Sequence, residues 1–369
     1  MKSEETRGLE APAPAGLAMA GARSGVSSSA AARVALMART RRKKADSGCG
    51  EQGVKAGRGV ETAARKRRLL TWEELPLWQR QQGGNLIFTG YRQAPGTVRD
   101  CLVSWFYLHN ESVNIHSHTL GSLLFLLLPL YIFSPSQIPP RYAAATPGEA
   151  AACGVYFAGV AVCFALSAAF HTFIPHGLAA FRLGLKLDVQ GCLLLMWGST
   201  VPLIYYSFPP PPLCGNHHHH HHYHHDDGNA ARRTVYHMAT AVLALACSAA
   251  MFARPLDGAR GAAPRALLLA AFGLASFVAP VVHGAALSPG GLAEQARRVG
   301  LRWVAVTAGC NVAALAVYIY KVPERWYPRR FDIFGHSHQL MHILIVCSAL
   351  AYAMAVVESF DARHAGGGC

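Results

Sequence analysis

Charge is the scarcest property of this sequence. Only 15% of its 369 residues are Asp, Glu, Lys or Arg, against roughly 25% in an ordinary soluble domain. Half of that charge lies in residues 1–100, and the rest of the chain is a series of apolar runs separated by short polar loops. A large soluble helical protein is thereby excluded, because its helices would each keep a charged face. Paired cysteines are also missing. The ten cysteines include no Cys-x-x-Cys, so neither a zinc ribbon nor a dithiol redox motif is present. Six of them (Cys153, Cys163, Cys192, Cys247, Cys310 and Cys347) lie inside apolar runs, where cysteine acts as a small apolar filler. Cys369 follows three glycines and fits no prenylation motif. The opening MKSEETRGLE is charged and lacks the apolar core of a signal peptide.

What charge exists is mostly positive, with a formal net of +14. The basic clusters, Arg39 to Lys44 and Arg65 to Arg68, precede the first apolar run. That placement suits a basic tail facing an anionic membrane surface rather than a nucleic-acid partner.

Residues 1–68 are rich in Ala, Gly, Ser, Arg and Lys without a sustained apolar period, and are expected to be disordered. Residues 69–114 read as a juxtamembrane helical segment. Thr71 is placed as an N-cap with Glu74 three residues on. Thr97 to Leu108 is expected to be a helix at the membrane edge, with Val98, Leu102, Trp105 and Phe106 on one side. Seven apolar runs follow, at about 115–134, 150–173, 184–207, 235–252, 265–286, 299–320 and 336–357. Most approach the ~20 residues that span a bilayer, and the fourth is the shortest. Small residues inside them (Ala161, Ala165, Ser167, Gly273, Ala314) suit close packing in lipid. The fold class is therefore all-α: a seven-transmembrane bundle over 115–357, then a short tail, 358–369.

With the N-terminus placed in the cytosol, the inner connections carry nine basic residues and the outer segments seven. The basic N-terminal region tips the orientation to a cytosolic N-terminus, which puts the C-terminus outside or in a lumen. The connection after the third run holds Pro209 to Pro212 and then a histidine tract, His217 to His225. Its internal position argues against a purification tag. It reads as low-complexity expansion, with weak metal capture at the outer surface as the other possibility.

Ionisable groups inside membrane spans are costly and therefore informative. His171 ends the second run, Asp188 opens the third, and His338 and His342 open the seventh. In an alternating bundle the end of an even span and the start of an odd one lie on the same side, so these four groups converge at one depth. His338 and His342 are four apart and share a helix face. With His171 they offer three imidazoles and leave one position open to water, the pattern of a catalytic zinc site. Asp188 could then hold or deprotonate that water. The competing reading is of histidines that pack and hydrogen-bond within the bundle. His336, two residues from His338, points elsewhere. His176 lies past Pro175 and reads as loop. His116 and His118 open the first run on the same side and suit a supporting role, whereas His237 and His283 belong to the opposite face.

Four short motifs resemble those of the progestin and adipoQ receptor family, which includes adiponectin receptors, haemolysin III-like proteins and fungal zinc-homeostasis membrane proteins. In HNESVNIHSHTLG, the residues Asn110, Glu111, Asn114, Ile115, His118 and Gly121 fit the stretch opening the first span. In SAAFHTF, Ser167 and His171 fit a Ser-x-x-x-His element. In LDVQGC, Asp188 and Gly191 fit the acidic element of the third span. In FDIFGHSHQLMHILIV, Ser337, His338, Gln339 and His342 fit the element of the seventh. The resemblance covers about residues 71 to 357, and YLHNESVNI with TWEELPLW is most like the fungal branch. It implies zinc held by His171, His338 and His342, Asp188 contacting the water on that zinc, and a cytosolic N-terminus. It also implies ceramide hydrolysis, or a part in zinc, sterol and lipid homeostasis. Val189 and His116 depart from the family by replacing aromatic residues.

The expected function is hydrolysis of an amide-linked lipid, with Asp188 moving the proton and Ser167, one turn before His171, as a supporting donor or a packing serine. The expected partner is a membrane lipid (ceramide, sterol or fatty acid) and not nucleic acid; a protein ligand and self-association are left open. The alternative is a receptor in which zinc is structural. A zinc transporter is disfavoured, because acidic residues are absent from the middle of the spans.

Overall fold

The computed structural model describes residues 68–83, 86–137, 140–210, 223–253 and 262–365. The tail expected to be disordered lies outside them up to residue 67, as do most of the histidine tract and residues 366–369. Among the described residues there is no β-strand, only an isolated bridge between Leu70 and Tyr91. Seven helices among the described residues are long and apolar enough to cross a membrane. They are Ser112–Ile132, Pro147–Phe173, Leu178–Ser207, Tyr223–Met251, Ala262–Leu287, Leu301–Tyr320 and Ser337–His364, called here the first to seventh spans.

The fourth helix is not short. It begins at Tyr223, well before the apolar run at 235, because a polar stretch such as NAARRTVYH continues a helix as readily as an apolar one. The seventh helix runs to His364, past the expected end at 357. Polar clamps hold its last turns. Asp361 accepts two bonds from Arg141, at 2.8 and 2.7 Å. Arg302 pairs with Glu358 at 2.7 Å. The fully buried Glu149 carboxylate meets Arg363 and His364, each at 3.1 Å.

Before the first span, local rules shorten what periodicity suggested. The capping box of Thr71 and Glu74 is present, but the helix it starts is a single 3-10 turn, Trp72–Glu74. Leu75 precedes Pro76, and a residue before proline is pushed out of the helical region; its ψ is 148°. Thr97 caps Val98–Val103 in a second capping box, and a 3-10 turn, Ser104–Phe106, follows.

The core joins the first, second and seventh spans through Phe125, Tyr156, Phe157, Val160, Phe164 and Tyr352. Since lipid tails are as apolar as leucine, such contacts form by close packing rather than by escape from water. Glycine permits the closest of them. A Cβ on Gly198 would lie 3.1 Å from the Val155 carbonyl oxygen, and one on Gly159 would lie 3.3 Å from that of Leu194. The second and third spans therefore meet backbone to backbone, which sets the distance between their ends. Outward-facing residues of the first span such as Leu120, Leu126 and Leu130 are exposed, as a lipid-facing surface requires.

Candidate metal centre

The last turns of the second span carry His171 and the first turns of the seventh carry His338 and His342. Each offers a ring nitrogen, and these three atoms lie within 4.8 Å of one another. Nε2 of His171 is 3.4 Å from Nε2 of His338. The His171 and His342 rings meet edge to face at 4.7 Å between centroids. His171 and His342 are each 2% exposed, and His338 is half-buried. Burying imidazoles side by side costs hydrogen-bonding capacity, and the Nδ1 of His342 has no partner among the described residues.

The donor set fits a small tetrahedral cation. Metal–nitrogen bonds of about 2.0–2.1 Å in a tetrahedron put neighbouring nitrogens roughly 3.3 Å apart, close to the 3.4 Å between His171 and His338. Imidazole nitrogens favour zinc, copper, iron and nickel over calcium or magnesium.

Asp188 lies further inside its helix than the apolar run suggested, because the third span begins at Leu178. Its carboxylate is within hydrogen-bonding reach of the Ser167 hydroxyl, and the His171 ring is a close neighbour. Ser167 is buried and Asp188 half-buried. All five residues singled out in the sequence thus gather where the second, third and seventh spans meet. The other histidines are elsewhere engaged. His336 bonds the Asn110 carbonyl at 3.0 Å, His176 the Gly96 carbonyl at 2.7 Å, and His116 the Trp105 carbonyl at 3.1 Å. His283 meets Tyr236 at 3.0 Å, away from the cluster. His118 does touch it, stacked between Phe164 at 4.5 Å and His342 at 3.9 Å.

Two contacts were not legible in the motifs. The Glu111 carboxylate reaches Nδ1 of His171 at 2.7 Å and accepts from Asn114 Nδ2 at 2.6 Å. Arg92, which no sequence motif singled out, is 4% exposed. It donates to the carbonyl oxygens of His171 and Thr172, at 2.5 and 2.9 Å, and to Ser104 Oγ at 2.9 Å. Carbonyls of the last helical turn have no partner within the helix, and a cation there also meets the negative end of the helix dipole. The one sequence signal was an arginine that carries the single charge between Arg80 and Arg99, which said nothing of its target.

These features define a polytopic membrane protein whose second and seventh helices close a histidine cluster. Residues 106–353 match the family described as Haemolysin-III related, and the chain belongs to that family. It is similar to the ADIPOR-like receptor IZH1 of Eremothecium gossypii, 32% identical over 296 residues, 80% of this chain and 86% of the relative. It is similar also to the ADIPOR-like receptor IZH2 of Saccharomyces cerevisiae, 30% identical over 298 residues, 81% and 86% of the two chains. The adiponectin receptor protein of Drosophila melanogaster is 29% identical over 287 residues, 78% of this chain and 58% of that one.

Proposed function

We propose that this protein holds a zinc ion through His171, His338 and His342 and hydrolyses an amide-linked membrane lipid of the ceramide class. The observation that carries the reading is the convergence of three ring nitrogens within 4.8 Å at a buried helix junction. When bound, zinc supplies a polarised substrate carbonyl and a water acidified to a pKa of ~7. The remaining chemistry belongs to the chain. Asp188 takes the proton of the attacking water and returns it to the leaving amine. Ser167 donates to Asp188 and holds its carboxylate towards the cluster. The lipid arrives sideways between helices, which suits a site at membrane depth. We further propose a cytosolic N-terminus, supported by the basic clusters before the first span.

A receptor with a structural zinc is the second reading, favoured by the naming of the relatives as receptors. Asp188→Asn separates the two. In purified protein with zinc content and melting behaviour unchanged, loss of ceramide turnover supports the hydrolase. Turnover equal to wild type overturns Asp188 as the proton carrier, and no turnover in either protein favours the receptor.

A further inference from the structure

The connection between the sixth and seventh spans, residues 321–336, sorts its charges by sign. Its acids face inward. Glu324, 3% exposed, accepts from the Ser337 backbone N–H at 2.8 Å and from the Ser337 hydroxyl. Asp332, 4% exposed, accepts from Thr89 Oγ1 at 2.8 Å. The three arginines, Arg325, Arg329 and Arg330, face outward. None of them pairs with an acid among the described residues, whereas Arg141, Arg298, Arg302 and Arg363 each do. An exposed cation normally finds a carboxylate where one is near. Here the only nearby carboxylates in the loop are committed to the interior.

Exposed aromatic residues stand between the arginines and just after them. Trp326 is 68% exposed, Tyr327 54% and Phe334 52%. The loop behind them is pinned. Arg329 lies over the Phe88 ring at 5.2 Å, in a left-handed backbone conformation with φ of 68° that side chains seldom adopt. The Gln339 amide also ties the loop down through the Ile333 carbonyl at 2.8 Å. A loop held this firmly, with aromatic and cationic groups turned out beside two membrane spans, is a preformed surface rather than a floppy connection. Amphipathic aromatic rings settle at headgroup depth. Guanidinium groups present a planar fork that matches phosphate oxygens two at a time.

We propose that this loop is a docking platform for anionic phospholipid headgroups, with Arg325, Arg329 and Arg330 taking the phosphate and carboxylate oxygens while Trp326 and Tyr327 rest at the interface. The platform is independent of the metal reading. The test uses the full chain in nanodiscs of phosphatidylcholine with or without phosphatidylserine, and counts retained lipid by native mass spectrometry after release. Wild type is expected to keep phosphatidylserine over phosphatidylcholine. Affinity should fall by roughly fivefold for each arginine changed to glutamine. The Arg302→Gln control, at the other end of the bundle, should change nothing. Arg329→Gln also removes the contact with Phe88, so the Arg325→Gln/Arg330→Gln double variant, which leaves Glu324, Asp332 and that contact in place, should keep its melting temperature and carries the test if the triple variant does not fold. Equal phosphatidylserine retention by wild type and the folded variants overturns the proposal. So does displacement of the lipid by an equal concentration of inorganic phosphate, which would mark a site for the free anion.

Discussion

The Glu111 carboxylate lies 2.7 Å from Nδ1 of His171, on the side of the ring away from His338. A carboxylate there accepts the Nδ1 proton and leaves Nε2 as the bare nitrogen turned into the cluster. Hydrogen bonds to the non-ligating nitrogen set both tautomer and ring orientation at metal sites. Glu111→Gln keeps the size of the side chain but weakens the acceptor. Zinc affinity is expected to fall by about 10–100-fold, measured by chelator competition on purified protein. Unchanged affinity would remove Glu111 from the site.

The metal itself is checked by substitution of His338. Elemental analysis of wild-type protein should find one zinc per chain, and His338→Ala should find little. Both proteins must first lose His217–His225, since that tract can carry metal of its own. Equal zinc in the two shortened proteins would refute the centre.

Arg92→Met tests the clamp on the second span. The variant keeps much of the apolar stem and removes the donors to the carbonyls of His171 and Thr172. Leaving buried carbonyls without a partner costs about 1–3 kcal/mol each. A loss of about 3 kcal/mol in stability is expected, with zinc affinity falling too because the helix end that bears His171 is released. Denaturation in detergent reads the first, and chelator competition the second.

Acid should weaken the cap before the first span. His109 is fully buried, and burial, reinforced by the charge of Arg92, pushes its pKa down to about 3. In the unfolded chain it titrates near 6.5. Below that pH the unfolded chain gains a proton that the folded one refuses, so stability falls by up to about 1.4 kcal/mol per unit until about pH 3. Above pH 6.5 both states are neutral and the residue contributes no slope. The melting temperature of His109→Gln should therefore decline less steeply than wild type between pH 6.5 and 5. Parallel curves would show that His109 takes up its proton without unfolding.

The glycine contact between the second and third spans is open to a simpler test. Gly198→Val places a branched side chain where even a Cβ lies 3.1 Å from the Val155 carbonyl. Overpacking costs about 1–3 kcal/mol, and the shift should carry Asp188 away from His171. Lower thermal stability together with weaker turnover is the expected pair of results.

The sequence alone determined the number of spans, because only long apolar runs can cross a bilayer with every backbone group satisfied within the helix. It determined the pairing of His338 with His342, a matter of four-residue spacing on one helix. It also placed His171 and Asp188 at the same depth, since span parity follows from counting. Tertiary structure decided what touches what. Local periodicity says nothing of a partner 60 residues away, so the contact of Glu111 with His171 was invisible, as was the reach of Arg92 across the end of the second span. Helix ends were decided there too. The seventh helix outlasts its apolar run, because clamps such as Arg141 on Asp361 and Glu149 on His364 satisfy polar groups that hydropathy counts against it.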